Sequence, residues 1–305
     1  MHWTSADFWR ERRVLVTGAS GFIGTWVADL LSKAEAEVYA IGHTQLPTSG
    51  HHQARAVLPD EAEEVIAWSR PEVVFHLAAP VLPEADAEEE VLEEGIVKAT
   101  SGLVAAIRGA PIRMVHAGSC AEYGTAHAPY KEDTKPSPST PYGCAKLIAS
   151  QHVLAAGHTV VRPFRAIGPG DTRSVVATAT RAALSGTIFN MTTGEQVREW
   201  NHVGAVAQGI VAAGAHHGAT GRAVNIGGGE TASVRAVVGQ VFKLAGADPA
   251  DLRIGARPQR PGEVPLLSGE HQLAQTLWGA IQQPSLKETL AETVHWMRLR
   301  QDGVA

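Results

Sequence analysis

The sequence predicts an α/β fold built on a doubly wound parallel sheet, with a smaller C-terminal lobe. Three observations lead there. First, Val14, Leu15 and Val16 form a short apolar run that leads into glycines at 18, 21 and 24, and residues 25–31 then carry apolar side chains at helical spacing. Second, apolar runs within residues 37–41, 72–80 and 111–119 read as further strands, with helical stretches among them. Third, the 305-residue chain is 44% hydrophobic and 19% charged, which suits a globular protein with a sizeable core.

Taken in order, residues 1–11 are an aromatic-bearing lead-in expected to pack on the first strand. The strand, glycine turn and helix that follow form the unit that holds a dinucleotide pyrophosphate in Rossmann-type sheets. Gly18 allows the sharp turn, Gly21 lets backbone approach phosphate, and Gly24 lets the helix pack closely on the strand. The helix N-terminus then offers unpaired N–H groups and a positive dipole end. Gly18, Ser20, Gly21, Phe22, Ile23 and Gly24 are the expected cofactor contacts here. Residues 37–41 form the second strand, and Gly42, His43 and Thr44 follow it. An acidic residue at such a strand end commonly accepts from the adenosine ribose hydroxyls. Its absence removes the repulsion toward a 2′-phosphate, which His43 would engage with help from Arg13 or Arg55. NADP(H) is therefore expected over NAD(H).

Residues 72–80 end in small side chains, so Leu77, Ala78 and Ala79 let backbone approach the cofactor. The acidic run over 86–94 reads as a solvated helix face. Residues 111–119 form a strand that delivers Ser119 to its C-terminal end, the edge where open α/β sheets bind ligands. A proline-rich loop over 135–141 precedes a helix carrying Tyr142 and Lys146, four residues apart and so on one face. An ammonium one turn away favours the phenolate of a side chain that titrates near pH 10 unperturbed. Tyr142 can then exchange a proton with a sugar hydroxyl or carbonyl while a nicotinamide exchanges hydride. Lys146 can also bind the cofactor ribose, and Ser119 the substrate oxygen.

The composition excludes other classes. A net charge of −5 gives no reason to expect nucleic acid or a membrane surface. No apolar run approaches the length of a membrane span and the N-terminus lacks a signal-peptide pattern, so a cytoplasmic protein is expected. The two cysteines, Cys120 and Cys144, make neither a disulfide framework nor a zinc site, and no metal is expected.

As a set, these motifs resemble the extended short-chain dehydrogenase/reductase family, the nucleotide-sugar epimerase, dehydratase and ketoreductase group. The likeness covers nearly the whole chain. It runs from the glycine turn through His76-Leu77-Ala78-Ala79, Ser119 with Glu122-Tyr123-Gly124, and Tyr142 with Lys146. It continues with Arg162-Pro163-Phe164, Arg198-Glu199-Trp200-Asn201-His202-Val203, Val224-Asn225-Ile226-Gly227 and Arg260-Pro261-Gly262-Glu263. The resemblance implies a cofactor domain over 1–167, with 198–227 returning to it, and a nucleotide-sugar lobe from 168–197 and 228–305. It places Arg198 and Arg260 on the substrate diphosphate, a role suited to guanidinium geometry. It also makes a homodimer through the helices at 86–107 and 142–154 an expectation.

Departures from the family pattern narrow the reaction. Related dehydratases carry Asp-Glu just after the catalytic Ser or Thr, where this chain has Cys120 and Ala121. Glu122 is one residue later, a shift that turns its side chain away. Arg165 replaces the family's usual Asn and is counted, with Cys120, among the substrate contacts. Gly95-Ile96 stands where another Asn is expected. The leading expectation is an NADPH-dependent reductase of a nucleoside-diphosphate-linked keto-deoxysugar, acting at C4 through Ser119, Tyr142 and Lys146. A 4-epimerase with tightly held NAD is the nearest competitor. A non-catalytic dinucleotide-binding protein and a reductase of a non-nucleotide carbonyl compound are further alternatives.

Overall fold

The computed structural model describes residues 6–42, 51–80, 88–259, 262–301 and 303. The N-terminal half alternates β1 (Arg13–Thr17), α2 (Phe22–Lys33), β2 (Glu37–Ile41), β3 (His52–Ala54), α3 (Ala62–Ser69) and β4 (Val73–His76), after a one-turn helix α1 (Ala6–Trp9). Next come α4 (Glu89–Leu92), a π-helical turn at Glu93–Lys98, α5 (Ala99–Ala106), β5 (Arg113–Ala117), α6 (Pro141–Ala155), β6 (Thr159–Pro163) and β7 (Ala166–Ile167). The remainder is α7 (Val175–Leu184), β8 (Phe189–Met191), β9 (Val197–His202), α8 (Val203–Ala215), β10 (Ala223–Ile226), β11 (Glu230–Ser233), α9 (Val234–Ala245), β12 (Leu252–Ile254), β13 (Leu266–Leu267), α10 (Gln272–Trp278) and α11 (Leu286–Gln301).

Seven parallel strands form the main sheet in the order β10-β6-β5-β4-β1-β2-β3. The order reverses at β1, so the crevice between β1 and β4 is the topological switch point. Thr17 pairs with His76 across it and with Ile41 on the other side, which brings three strand ends to one edge. Both faces are covered, which explains the continuous apolar strand runs. Val14 and Val16 face α2 and α8, packing with Val27, Leu31, Val206 and Ile210. Leu15 faces the other way, with Val65 of α3, Leu103 of α5 and Val153 of α6. Each of these β1 side chains is fully buried, which contributes about 1.5–3 kcal/mol apiece. The described part of the lead-in packs on the first strand, with Trp9 buried in the β1 cluster against Phe75, and residues 1–5 lie outside the described residues.

A second core lies in the C-terminal half, where α7, α9 and α11 enclose Val176, Val238, Phe242 and Leu290. A four-stranded sheet of β11, β9, β13 and β7 borders it. The stretch at 198–227 therefore divides. Residues 198–202 lie on β9 in the small sheet, and α8 and β10 make the return to the large one. Helix α10 also packs on the main-sheet core through Ala274 and Trp278. Among the described residues, no helix is long and apolar enough to cross a membrane, and no group of His, Cys, Asp and Glu could hold a metal ion.

Candidate active site

The glycine turn is shaped by contact. Gly18 has φ +68°, and a Cβ there would sit 2.7 Å from the Ala78 nitrogen across the switch point. A Cβ at Gly24 would sit 2.1 Å from the Gly18 oxygen. Gly21 is different: among the described residues its Cβ would meet only that same oxygen, at 3.1 Å, which leaves open space above it. Gly21 is the N-cap of α2, and no side chain caps the helix. The first-turn N–H groups, which include those of Phe22, Ile23 and Gly24, are left for a ligand. Open space, free donors and a positive helix end fit the diphosphate of a dinucleotide. Ile23 packs on the core behind the turn, and Phe22 lies beneath Gly170, where a Cβ would be 3.4 Å from its ring. Ser20 stands beside Gly42, where a Cβ would be 2.5 Å from the Ser20 oxygen, so the end of β2 closes on the turn.

The facing wall is Leu77, Ala78 and Ala79. Thr17 Oγ1 accepts from the Ala78 N–H at 3.2 Å and pairs with His76 Nδ1 at 2.7 Å, and His76 Nε2 pairs with Thr100 Oγ1 at 3.1 Å. Burial, aided by the Lys146 charge, pushes His76 down to about 3, so it holds this wall as a neutral ring. Leu77 packs on the core beside β1, and Ala79 shares a cluster with Tyr142, Ile96 and Ala149. The wall that faces the glycine turn and the candidate tyrosine are thus one packed unit. Gly95 and Ile96, where the family pattern has Asn, lie in the π-helical turn that packs on α6.

Ser119 caps the 3-10 turn Cys120–Glu122 in a reciprocal box. Its Oγ accepts from the Ala121 N–H at 3.1 Å, and its own N–H donates to Glu122 Oε1 at 2.8 Å. Glu122 is fully buried and turned inward, accepting from Ser150 Oγ at 2.9 Å and pairing with Arg162 Nε at 2.8 Å. Arg162 also donates to Tyr123 Oη at 3.0 Å, and Tyr123 donates to Asn225 Oδ1 at 2.8 Å. Thr140 caps α6, setting Tyr142 in its first turn and Lys146 one turn on. Lys146 is 2% exposed, donates to the Ala117 carbonyl at 2.9 Å, and lies 5.9 Å from the Tyr142 ring centre. Burial pushes its ammonium down to about 8, opposed by the Glu122 charge. Ser119, Tyr142 and Lys146 therefore gather at the C-terminal edge of β5.

On the C-terminal side, burial pushes the Cys120 thiol up to about 12 despite the nearby Arg165 charge. Arg165 is exposed and stands 5.7 Å over the Trp200 ring. Arg198 is buried and already paired, with Glu263 at 3.1 Å. His43 and Arg260 lie outside the described residues. One expectation is overturned: Arg13 cannot help bind a 2′-phosphate. It opens β1 at the opposite edge, about 13 Å from Thr17 at normal strand rise, and its guanidinium holds Glu37 at 3.2 Å and the Ser69 carbonyl at 2.7 Å. Arg55 differs, because Ala54 pairs with Ile41 and so sets Arg55 level with Gly42. Residues the sequence did not single out include Ser150, Thr17, Thr100 and Glu199. Glu199 accepts from Gly228 N at 2.9 Å, from Gly269 N at 3.0 Å, and pairs with His271 at 3.0 Å.

With this geometry in place, the comparisons are informative. The model of the NAD dependent epimerase/dehydratase family matches residues 14–227. The chain belongs to this family. It is an enzyme of the extended short-chain dehydrogenase/reductase type. Among its relatives is a probable dTDP-4,6-dihydroxy-2-methyloxan-3-one 4-ketoreductase from Streptomyces antibioticus, 30% identical over 84% of this chain and 85% of that protein. A UDP-glucose 4-epimerase from Azospirillum brasilense is 26% identical over 96% of this chain and 94% of its own length. Among solved structures, MoeE5 in complex with UDP-glucose and NAD is 30% identical, with a TM-score of 0.85 over 94% of this chain and 99% of that one.

Two stability experiments check the buried charges of this enzyme. Removing one partner of a buried ion pair strands the other, so Glu122→Ala is expected to lower unfolding free energy by about 3–5 kcal/mol in denaturant titrations. For Lys146, the folded-state value of about 8 lies below its unfolded value near 10.5, so between those values the unfolded chain binds more protons and stability rises with pH. Wild type is expected to gain on Lys146→Met from pH 8 to 10, by an amount on the order of 2 kcal/mol. A flat difference would contradict the buried-ammonium account.

Proposed function

We propose that the enzyme is an NADPH-dependent reductase of a keto-deoxysugar carried on a nucleoside diphosphate, with the C4 carbonyl as the reacting group. The observation that carries this reading is the content of the Ser119 turn. Ser119, Tyr142 and Lys146 lie together, while among the described residues no acid–base pair stands beside them for removing water. Glu122 is spent on Arg162 and Ser150, and the Cys120 thiol stays protonated at neutral pH. Carbonyl–alcohol exchange needs no such pair; elimination does.

A bound nicotinamide supplies the hydride to carbon. Tyr142 gives its phenolic proton to the carbonyl oxygen, so that C=O becomes CH–OH. The Lys146 ammonium favours the phenolate that remains. Ser119 accepts from Ala121 N–H and so directs its own O–H toward the substrate oxygen. Arg198 takes the substrate diphosphate, exchanging Glu263 for it, with Arg260 as its partner. Gly42 and Arg55 support NADPH: the sequence carries no carboxylate directly after β2, and the register of β3 sets a cation level with Gly42. The relatives support a nucleotide-sugar substrate, and the ketoreductase among them supports reduction. The enzyme is further proposed to be a cytoplasmic homodimer that pairs through the helices at 86–107 and 142–154.

A second reading is a nucleotide-sugar 4-epimerase, favoured by the MoeE5 complex with NAD and the epimerase relatives. Deuterium separates the two. With C4-deuterated NADPH and a panel of nucleoside-diphosphate 4-keto-6-deoxysugars, a reductase consumes one cofactor per product and places deuterium at sugar C4. Epimerisation of a UDP-hexose without net consumption would favour the second reading. Tyr142→Phe is expected to lower kcat by about 10²–10⁴-fold, with the NADPH Kd unchanged within about twofold. Arg55→Ala is expected to raise the NADPH Kd about tenfold, the scale of one lost charge-assisted hydrogen bond, and to leave the NADH Kd in place.

A further inference from the structure

A histidine without partners lies beneath the candidate lysine. His116 sits on β5 one residue before Ala117, whose carbonyl accepts from Lys146 Nζ at 2.9 Å. Met114, two residues earlier, packs with Leu103 of α5 and Val153 of α6, so strand alternation points His116 toward the same two helices. Its ring is fully buried, and among the described residues neither Nδ1 nor Nε2 has a hydrogen-bond partner. The contrast with His76 is sharp. His76 is its register partner on β4, 5.3 Å away ring to ring, and both of its nitrogens are met by Thr17 and Thr100.

A neutral imidazole carries one donor and one acceptor. Native interiors rarely leave both unmet, and an ordered internal water is the usual partner where two or more polar groups converge. Lys146 supplies the second group, since a lysine has three N–H donors and one is given to Ala117. We propose that His116 and Lys146 hold a buried water between them, and that His116 acts through it as a positioning residue that keeps Lys146 charged.

The electrostatics of the site agree. Burial works against the Lys146 charge, and the Lys146 charge in turn acts on both imidazoles. His116 is held well below the ordinary histidine range, so it meets the water as a neutral group. The other groups facing Lys146 are Glu122, fixed by Arg162 of β6, and Tyr142 on its own helix. Glu93, Glu94 and Lys98 of the π-helical turn are exposed on its outer side. A water that solvates the ammonium raises its proton affinity; an apolar side chain in place of His116 lowers it.

The functional part rests on Lys146 serving the proposed reduction, but the proton affinity of Lys146 can be measured without substrate. The experiment follows Lys146 by NMR of 13Cε-labelled lysine across pH in wild type, His116→Phe and His116→Gln, with thermal unfolding of each. His116→Phe is expected to lower the Lys146 midpoint by about one unit, a tenfold loss of proton affinity, and His116→Gln to restore most of it. The alkaline limb of kcat should shift with it, while KM stays within about twofold. An unchanged Lys146 midpoint in a folded Phe variant would overturn the proposal. Should that variant not fold, wild type decides: water-to-ring cross-peaks at His116 support the proposal and their absence overturns it. A shifted midpoint with an unmoved kcat profile would sustain the role of His116 and remove Lys146 from the reaction.

Discussion

The site depends on one buried carboxylate. An unpaired ionised Glu122 in this interior would be strongly destabilising, so its surroundings are built to complete it. Arg162 neutralises the charge, Ser150 donates to one oxygen, and the backbone N–H of Ser119 donates to the same atom. Each partner comes from a different element: β6, α6 and the turn after β5. Through Arg162 the set extends to Tyr123 and Asn225, and Asn225 donates to the carbonyls of Tyr130 and Glu270. One side chain thereby sets the conformation of the serine turn and ties it to β10 and to the segment that leads into α10. The same carboxylate offsets part of the burial that acts on Lys146.

A second constraint is distance rather than charge. The turn after β1 and the wall after β4 approach backbone to backbone at Gly18 and Ala78, so the crevice is narrow where it is built, while Gly21 leaves room above it among the described residues. Ala79 carries the wall on into the cluster that seats Tyr142. The glycine turn and the helix that carries Tyr142 are therefore mechanically linked. Arg198, too, is held in a pair with Glu263 rather than exposed.

What was legible in the sequence is what short-range chemistry encodes. The glycine turn, the strand runs, the helical spacing of Tyr142 and Lys146, and the small residues after His76 each follow from a few neighbouring residues. The inward turn of Glu122 was legible too, because a Ser followed three residues later by Glu forms a capping box. Contacts between distant residues were not. Arg13 looked available for a phosphate because its sheet edge and its partner Glu37, 24 residues on, become apparent only once β1 and β2 pair. Arg198 and Glu263 stand 65 residues apart, and His271 reaches Glu199 across 72. Residues 198–202 read as part of the returning segment because helix α8 follows at once, yet β9 pairs in the small sheet.

In the proposed reduction, the crevice over Gly18, Gly21 and Gly24 holds an exchangeable NADPH. The most direct test is the nucleotide content of purified protein, by mass spectrometry of what is released on denaturation, with titrations of NADPH and NADH. Little retained nucleotide and tighter binding of NADPH than of NADH are expected. Stoichiometric, tightly held NAD would contradict the proposed reduction and favour the epimerase. Failure to bind either dinucleotide would contradict the reading of the glycine turn itself.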